Sequence, residues 1–163
     1  MSENYPPEVL KRLNCQGRAK LPLSEFNDVD SLFVSFCQHD LDEQGKFKTE
    51  LIRLPDFSCN WSKFSEPEDV KYRKNGCITD GAFSISVSIS KFENFAMPVH
   101  DPLCGEHPEN YSHCEIRIIP VDLQSGKEPP KGFKPKSASA KNKRKAWRRH
   151  IALNANIVVP AEA

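Results

Sequence analysis

From Phe83 to Ser90 the chain alternates without a break. Phe83, Ile85, Val87 and Ile89 fall on one side, and Ser84, Ser86, Ser88 and Ser90 on the other. A period of two marks an extended strand with one buried face. A slip of one residue would turn all four apolar side chains to the wrong side, so the register is strongly specified. The run predicts a strand over 83–90 whose serines face solvent or lie under a helix. A second run, His113-Cys114-Glu115-Ile116-Arg117-Ile118-Ile119, puts Cys114, Ile116 and Ile118 on one face and His113, Glu115 and Arg117 on the other; Pro120 closes it.

Two further strands are expected at 31–37, which is aromatic and β-branched, and at 57–62, where apolar and polar residues alternate. Another is expected at 47–54, after the polar turn 40–45. Pro6-Pro7 followed by Glu8–Leu13 reads as a short helix with proline in its first turn. Ser65 and Glu68 have the spacing of a capping box and open a second short helix. Residues 91–112, with Pro98, Pro102, Gly105 and Pro108, read as a long polar loop. Together these elements predict an α+β fold: one antiparallel or mixed sheet, few short helices and a C-terminal basic helix.

Charge divides the chain. Residues 1–126 carry thirteen Lys/Arg against twenty acids, and residues 127–163 carry ten against two. The expected organisation is a compact acidic domain over 1–123, a Pro/Gly/Lys linker over 124–138, and a basic helix with its tail over 139–163. Such asymmetry points to a polyanionic partner, or to a tail that docks on its own acidic body. No apolar run approaches the roughly 20 residues that span a bilayer. The N-terminus has neither the basic nor the apolar region of a secretory signal, so a cytoplasmic chain with no membrane partner is expected. Its six cysteines, at 15, 37, 59, 77, 104 and 114, contain no C-x-x-C, and reduced, metal-free thiols are expected. Cys104, His107, His113 and Cys114 are of zinc-ligating types. Because His113 and Cys114 are strand neighbours pointing to opposite faces, no metal is expected, and no other cofactor.

The polar face of the 113–119 strand offers a base, an acid and a cation, with same-face neighbours about 6.5–7 Å apart. Metal-independent ribonucleases use such a set: a base for the 2′-hydroxyl, an acid for the leaving oxygen, and a cation for the developing phosphate charge. The catalytic candidates are His113, Glu115, Arg117 and, from the preceding loop, His100. The same pattern also describes a solvated face carrying a weak surface ion pair. Asp56, Asn60, Lys63 and Tyr111 are candidate ligand-binding residues. Glycine-rich phosphate loops and activated serines are absent.

In the basic helix, Lys141, Lys143, Arg144, Lys145, Arg148 and Arg149 place six cations in nine residues around Trp147. Trp147 and Ile151, at i,i+4, form a narrow apolar stripe suited to docking, which leaves arginine forks for phosphates. The run Leu54-Pro55-Asp56-Phe57-Ser58-Cys59-Asn60-Trp61-Ser62-Lys63-Phe64-Ser65-Glu66-Pro67-Glu68-Asp69, with His100-Asp101-Pro102 and Pro108–Ile116, resembles a loose group of small uncharacterised bacterial proteins. The resemblance covers about residues 30–120 and brings no established reaction. It implies a bacterial domain in which the 56–69 and 100–117 blocks belong to one unit. The leading expectation is a nucleic-acid-associated protein, bound to RNA or DNA and compatible with an RNase- or toxin-like reaction. The alternative is a non-enzymatic accessory module for an acidic protein partner or a nucleotide ligand.

Overall fold

The structure is a computed structural model that describes residues 5–73 and 75–163. Met1–Asn4, part of the segment read against a signal sequence, lie outside the described residues. Helix α1 (Pro7–Leu13) begins with proline at a position whose N–H has no helical partner anyway. Strands β1 (Ser31–Phe36), β2 (Phe57–Trp61), β3 (Gly81–Ser86), β4 (Ala96–His100), β5 (His113–Ile118) and β6 (Asn156–Val159) form one sheet in the order β4-β5-β2-β1-β3-β6. Every neighbouring pair is antiparallel. Helix α2 (Val87–Lys91) follows β3, and α3 (Ala138–Asn154) precedes β6. The architecture is the α+β single sheet that the alternating patterns predict.

Several elements depart from expectation. The alternation over 83–90 is realised only as far as Ser86, where the strand stops. Ser86 caps α2 by accepting the Ile89 N–H at 3.0 Å, and this local bond outcompetes further extension. Ser90, expected on the strand's serine face, is fully buried and donates to the Val87 carbonyl at 2.6 Å. Residues 47–54 form no strand; an isolated bridge Leu41–Phe47 is followed by a 3₁₀ turn, Thr49–Leu51. The capped turn after Ser65 is also 3₁₀, Pro67–Lys71, and its box lies one residue later than expected, on Glu66 and Asp69. Within the supposed long loop, 96–100 is strand β4. It lies at the sheet edge, where Pro98 leaves no central ladder bond unmade.

Cys114, Ile116 and Ile118 of β5 join Phe57, Cys59 and Trp61 of β2, Leu32, Val34 and Phe36 of β1, and Phe83 and Ile85 of β3 in the main core. Helix α3 covers this face. Trp147 and Ile151 are both fully buried there, and the Trp147 indole donates to the Ser90 carbonyl at 2.8 Å. The opposite, more polar face is covered in two places. The 67–71 turn lays Val70 on Phe33 and Ala82. A strap over 128–133 crosses β5, where Arg117 donates to the Pro129 carbonyl at 3.2 Å and the Gly132 N–H donates to Asp56 at 3.1 Å. Gly132 turns the strap with φ +76°, a conformation costly for any residue with a Cβ.

The expectation of six reduced cysteines is corrected. Cys15 and Cys104 form a disulfide across 89 residues, with Cα atoms 5.7 Å apart. The Tyr111 N–H donates to the Leu13 carbonyl at 2.7 Å and brings the end of α1 onto the 101–112 loop. That juxtaposition is tertiary and leaves no trace in cysteine spacing. Cys37, Cys59, Cys77 and Cys114 are free, and burial foremost, with Cys59 beside it, pushes the Cys114 thiol's pKa up.

Candidate functional site

Alternation along β5 puts His113, Glu115 and Arg117 on one face as expected, but the face is covered rather than solvated: all three residues are buried. Arg117 donates to Glu115 at 2.8 Å, and Lys131 from the strap stands 3.4 Å from Glu115 and 3.6 Å from Asp101. The charge of Glu115 foremost raises the pKa of Lys131. Burial acts to raise the Asp101 pKa, but contact with Glu115 and the charges of Lys131, His113 and Arg117 outweigh it and hold it low. Glu115 and Arg117 are therefore the centre of an internal ionic network that pins the strap to the sheet.

His113 is differently placed. Its Nδ1 donates to the Asp101 carbonyl at 2.8 Å, which fixes the orientation of the ring. The residue lines a cavity of about 330 Å³ together with Phe33, Ser58, Asn60 and Asn110, walled by Tyr72 and Arg73 on one side and Leu103, Glu106 and Pro108 on the other. Antiparallel pairing sets Asn60 directly opposite His113, so both project to the same side. The Asn60 side-chain carbonyl accepts from Asn110 at 2.8 Å, and its amide donates to Ser65 at 3.3 Å. Of the sequence candidates, Asn60 and His113 converge on this cavity.

The others serve elsewhere. His100 is fully buried, accepts the Leu21 N–H on Nδ1 at 3.0 Å, and meets the Tyr111 carbonyl on Nε2 at 2.7 Å, so both ring nitrogens are occupied. Burial, opposed by the Tyr111 bond, holds its pKa below the ordinary imidazole value. Tyr111 is buried, donates its hydroxyl to the Ala19 carbonyl and lies 4.1 Å under the Arg18 guanidinium. Asp56 tethers the strap. Lys63 is exposed, 3.9 Å from Glu25. Tyr72, Arg73 and Glu106 were missed because no periodicity marks a loop residue as a cavity wall.

On the other face of the sheet, α3 is held by its apolar stripe and not by its charges. Lys141, Lys143, Lys145 and Arg149 are exposed, and Arg144 and Arg148 are half-buried. Among the described residues none of the six forms an ion pair. The Nε atoms of Arg144 and Arg148 are buried without a hydrogen-bond partner. Alternation therefore places the cations and the His113 cavity on opposite faces of one sheet. No known protein family, curated protein or solved structure matches the chain.

Proposed function

We propose that the chain associates with nucleic acid through the outward face of α3. The observation that carries this reading is that the helix docks by Trp147 and Ile151 while, among the described residues, its six cations form no ion pair, although the rest of the chain carries an excess of acids. A tail that docked electrostatically would have spent those cations on the body. The exposed Lys141, Lys143, Lys145 and Arg149 supply the counterion-release term that dominates binding to RNA or DNA. A cytoplasmic setting goes with this reading, since nucleic acid is the abundant polyanion there. The proposal assigns no reaction: Glu115 and Arg117 are engaged in the strap network, and the His113 cavity opens on the face away from α3.

The test is fluorescence anisotropy with labelled single-stranded and duplex oligonucleotides over a range of salt. Affinity should fall with a log–log slope of about −0.9 per neutralised duplex phosphate, or about −0.7 for a single strand. Replacing the exposed Lys141, Lys143, Lys145 and Arg149 together by Ala should flatten that slope with folding retained. Absence of binding at low salt would end the reading. Equal affinity for polyglutamate would transfer it to an acidic protein partner.

A further inference from the structure

Strand register sets the floor of the His113 cavity. Phe33 of β1 pairs with Asn60 of β2, which pairs with His113 of β5, so the three form one row across the sheet. Ser35 and Ser58 stand two residues along their strands from Phe33 and Asn60, on the same side, and also line the cavity. Both ends of the Asn60 amide are already bonded, to Asn110 and to Ser65. The polar groups left over are of one kind. Among the described residues, the hydroxyls of Ser35, Ser58 and Tyr72 and the Nε2 of His113 make no hydrogen bond, while His113 Nδ1 is held by the Asp101 carbonyl. A hydroxyl donates and accepts and rotates to suit its partner; Nε2 accepts on the neutral ring and donates on the charged one. Val70, Leu103 and Pro108 add apolar surface beside them. Full charge is scarce and opposed. Arg73 donates to the Val70 carbonyl at 2.9 Å and stands 3.4 Å from Asp80, and the exposed Glu106 carries the opposite sign.

We propose that this cavity binds one uncharged sugar ring, taken as a free monosaccharide or as the terminal residue of a glycan. The site lies across the sheet from α3, so the proposal is independent of the nucleic-acid reading. A sugar presents hydroxyls that each donate and accept, which matches the unbonded groups of Ser35, Ser58, Tyr72 and His113. Its C–H faces are apolar with a slight positive charge and suit the aliphatic walls and the Tyr72 ring. A nucleobase edge is a fixed pattern of donors and acceptors, read best by the fork of a carboxamide, and the Asn60 carboxamide is committed to protein at both ends. An ionic ligand would need an unopposed charge, which Arg73 beside Asp80 does not supply. The volume, about 330 Å³, stands at the small end of the roughly 300–1,000 Å³ of ligand pockets and suits one ring better than a chain of them.

The experiment titrates the full chain with glucose, galactose, mannose and ribose, and separately with adenosine and glutamate, and follows backbone amide shifts by NMR. At least one sugar should shift the Ser35, Ser58, Tyr72 and His113 amides saturably; a ring of about twelve heavy atoms at ordinary ligand efficiency gives a Kd of about 1 mM. Ser58→Ala alters an exposed side chain and should leave the fold intact while weakening that sugar about two- to tenfold, the worth of one hydrogen bond. His113→Asn keeps an N–H for the Asp101 carbonyl and removes Nε2, and should weaken it by a similar factor. Equal affinity for the sugar and its methyl glycoside supports capture of a terminal ring, and loss of binding by the glycoside supports a free monosaccharide. The inference is overturned if no sugar shifts these amides saturably, if adenosine or glutamate binds there and sugars do not, or if both folded variants bind the sugar as the parent does.

Discussion

Trp147→Ala asks whether α3 is part of the fold or an appendage to it. The indole is fully buried against the core and approaches Phe57 edge-on with ring centroids 6.1 Å apart. A tryptophan buries roughly 150–250 Å², and at about 25 cal/mol per Å² its removal forfeits ~4–6 kcal/mol. Measured Trp→Ala changes in cores run about 3–5 kcal/mol. The substitution also strips the Ser90 carbonyl of its donor, with a further cost of up to ~1–3 kcal/mol if no water replaces it. The expected loss, about 4–6 kcal/mol, is a large fraction of the roughly 5–15 kcal/mol available to a typical domain. Urea denaturation followed by far-UV circular dichroism measures it, and Trp147→Phe, which keeps most of the apolar contact, should lose only ~1–3 kcal/mol. A loss below about 0.5 kcal/mol in Trp147→Ala, the range of an ordinary surface change, would refute the docked helix.

Two other measurements probe the interior polar groups. The depressed pKa of His100 means that the unfolded chain binds a proton more readily than the folded one. Its contribution is therefore fully present above the unfolded value near 6.5 and is lost as pH falls below it, at up to ~1.4 kcal/mol per pH unit. His150 shares that direction, so the comparison is with His100→Gln, whose stability should change less between pH 7.5 and 5.5; identical pH profiles would contradict the assignment. Arg117→Ala should lose about 3–5 kcal/mol because it leaves Glu115 buried with Lys131 as its remaining cation, whereas a change below ~0.5 kcal/mol would mean that the strap network is solvated.

The parts of the fold legible in the sequence are those where periodicity and burial agree. β1, β2 and β5 lie within a residue of their expected bounds, and the Trp147–Ile151 stripe is buried at the spacing that predicted it. Alternation misled at 87–90, because a serine can end a strand as a cap as readily as it can face solvent along one. β4 and β6 were illegible: β4 carries a proline and follows a run of left-handed residues, and β6 has four residues with no pattern of its own. For the site, sequence gave the facing of His113, Glu115 and Arg117 but not what covers them. The strap is a proline- and glycine-rich segment held by backbone atoms, by Lys131, by a Glu128–Lys20 ion pair and by Phe133 on the core, none of which any periodicity records.

The route of the chain after β5 has a consequence for how the protein is made. Residues 128–133 complete the cover that the 67–71 turn begins on one face of the sheet, α3 closes the other, and β6 pairs with the exposed edge of β3. All three closures lie downstream of the five strands they complete. A nascent chain that has emerged as far as β5 thus presents an open core face, an ionic face without its strap and an unpaired strand edge, the combination that invites strand addition by another chain. The sheet cannot be sealed piecemeal during synthesis; it waits for one continuous belt to emerge from the ribosome. Chains interrupted between residues 119 and 147 would carry nearly every strand and still be the most aggregation-prone products of this sequence.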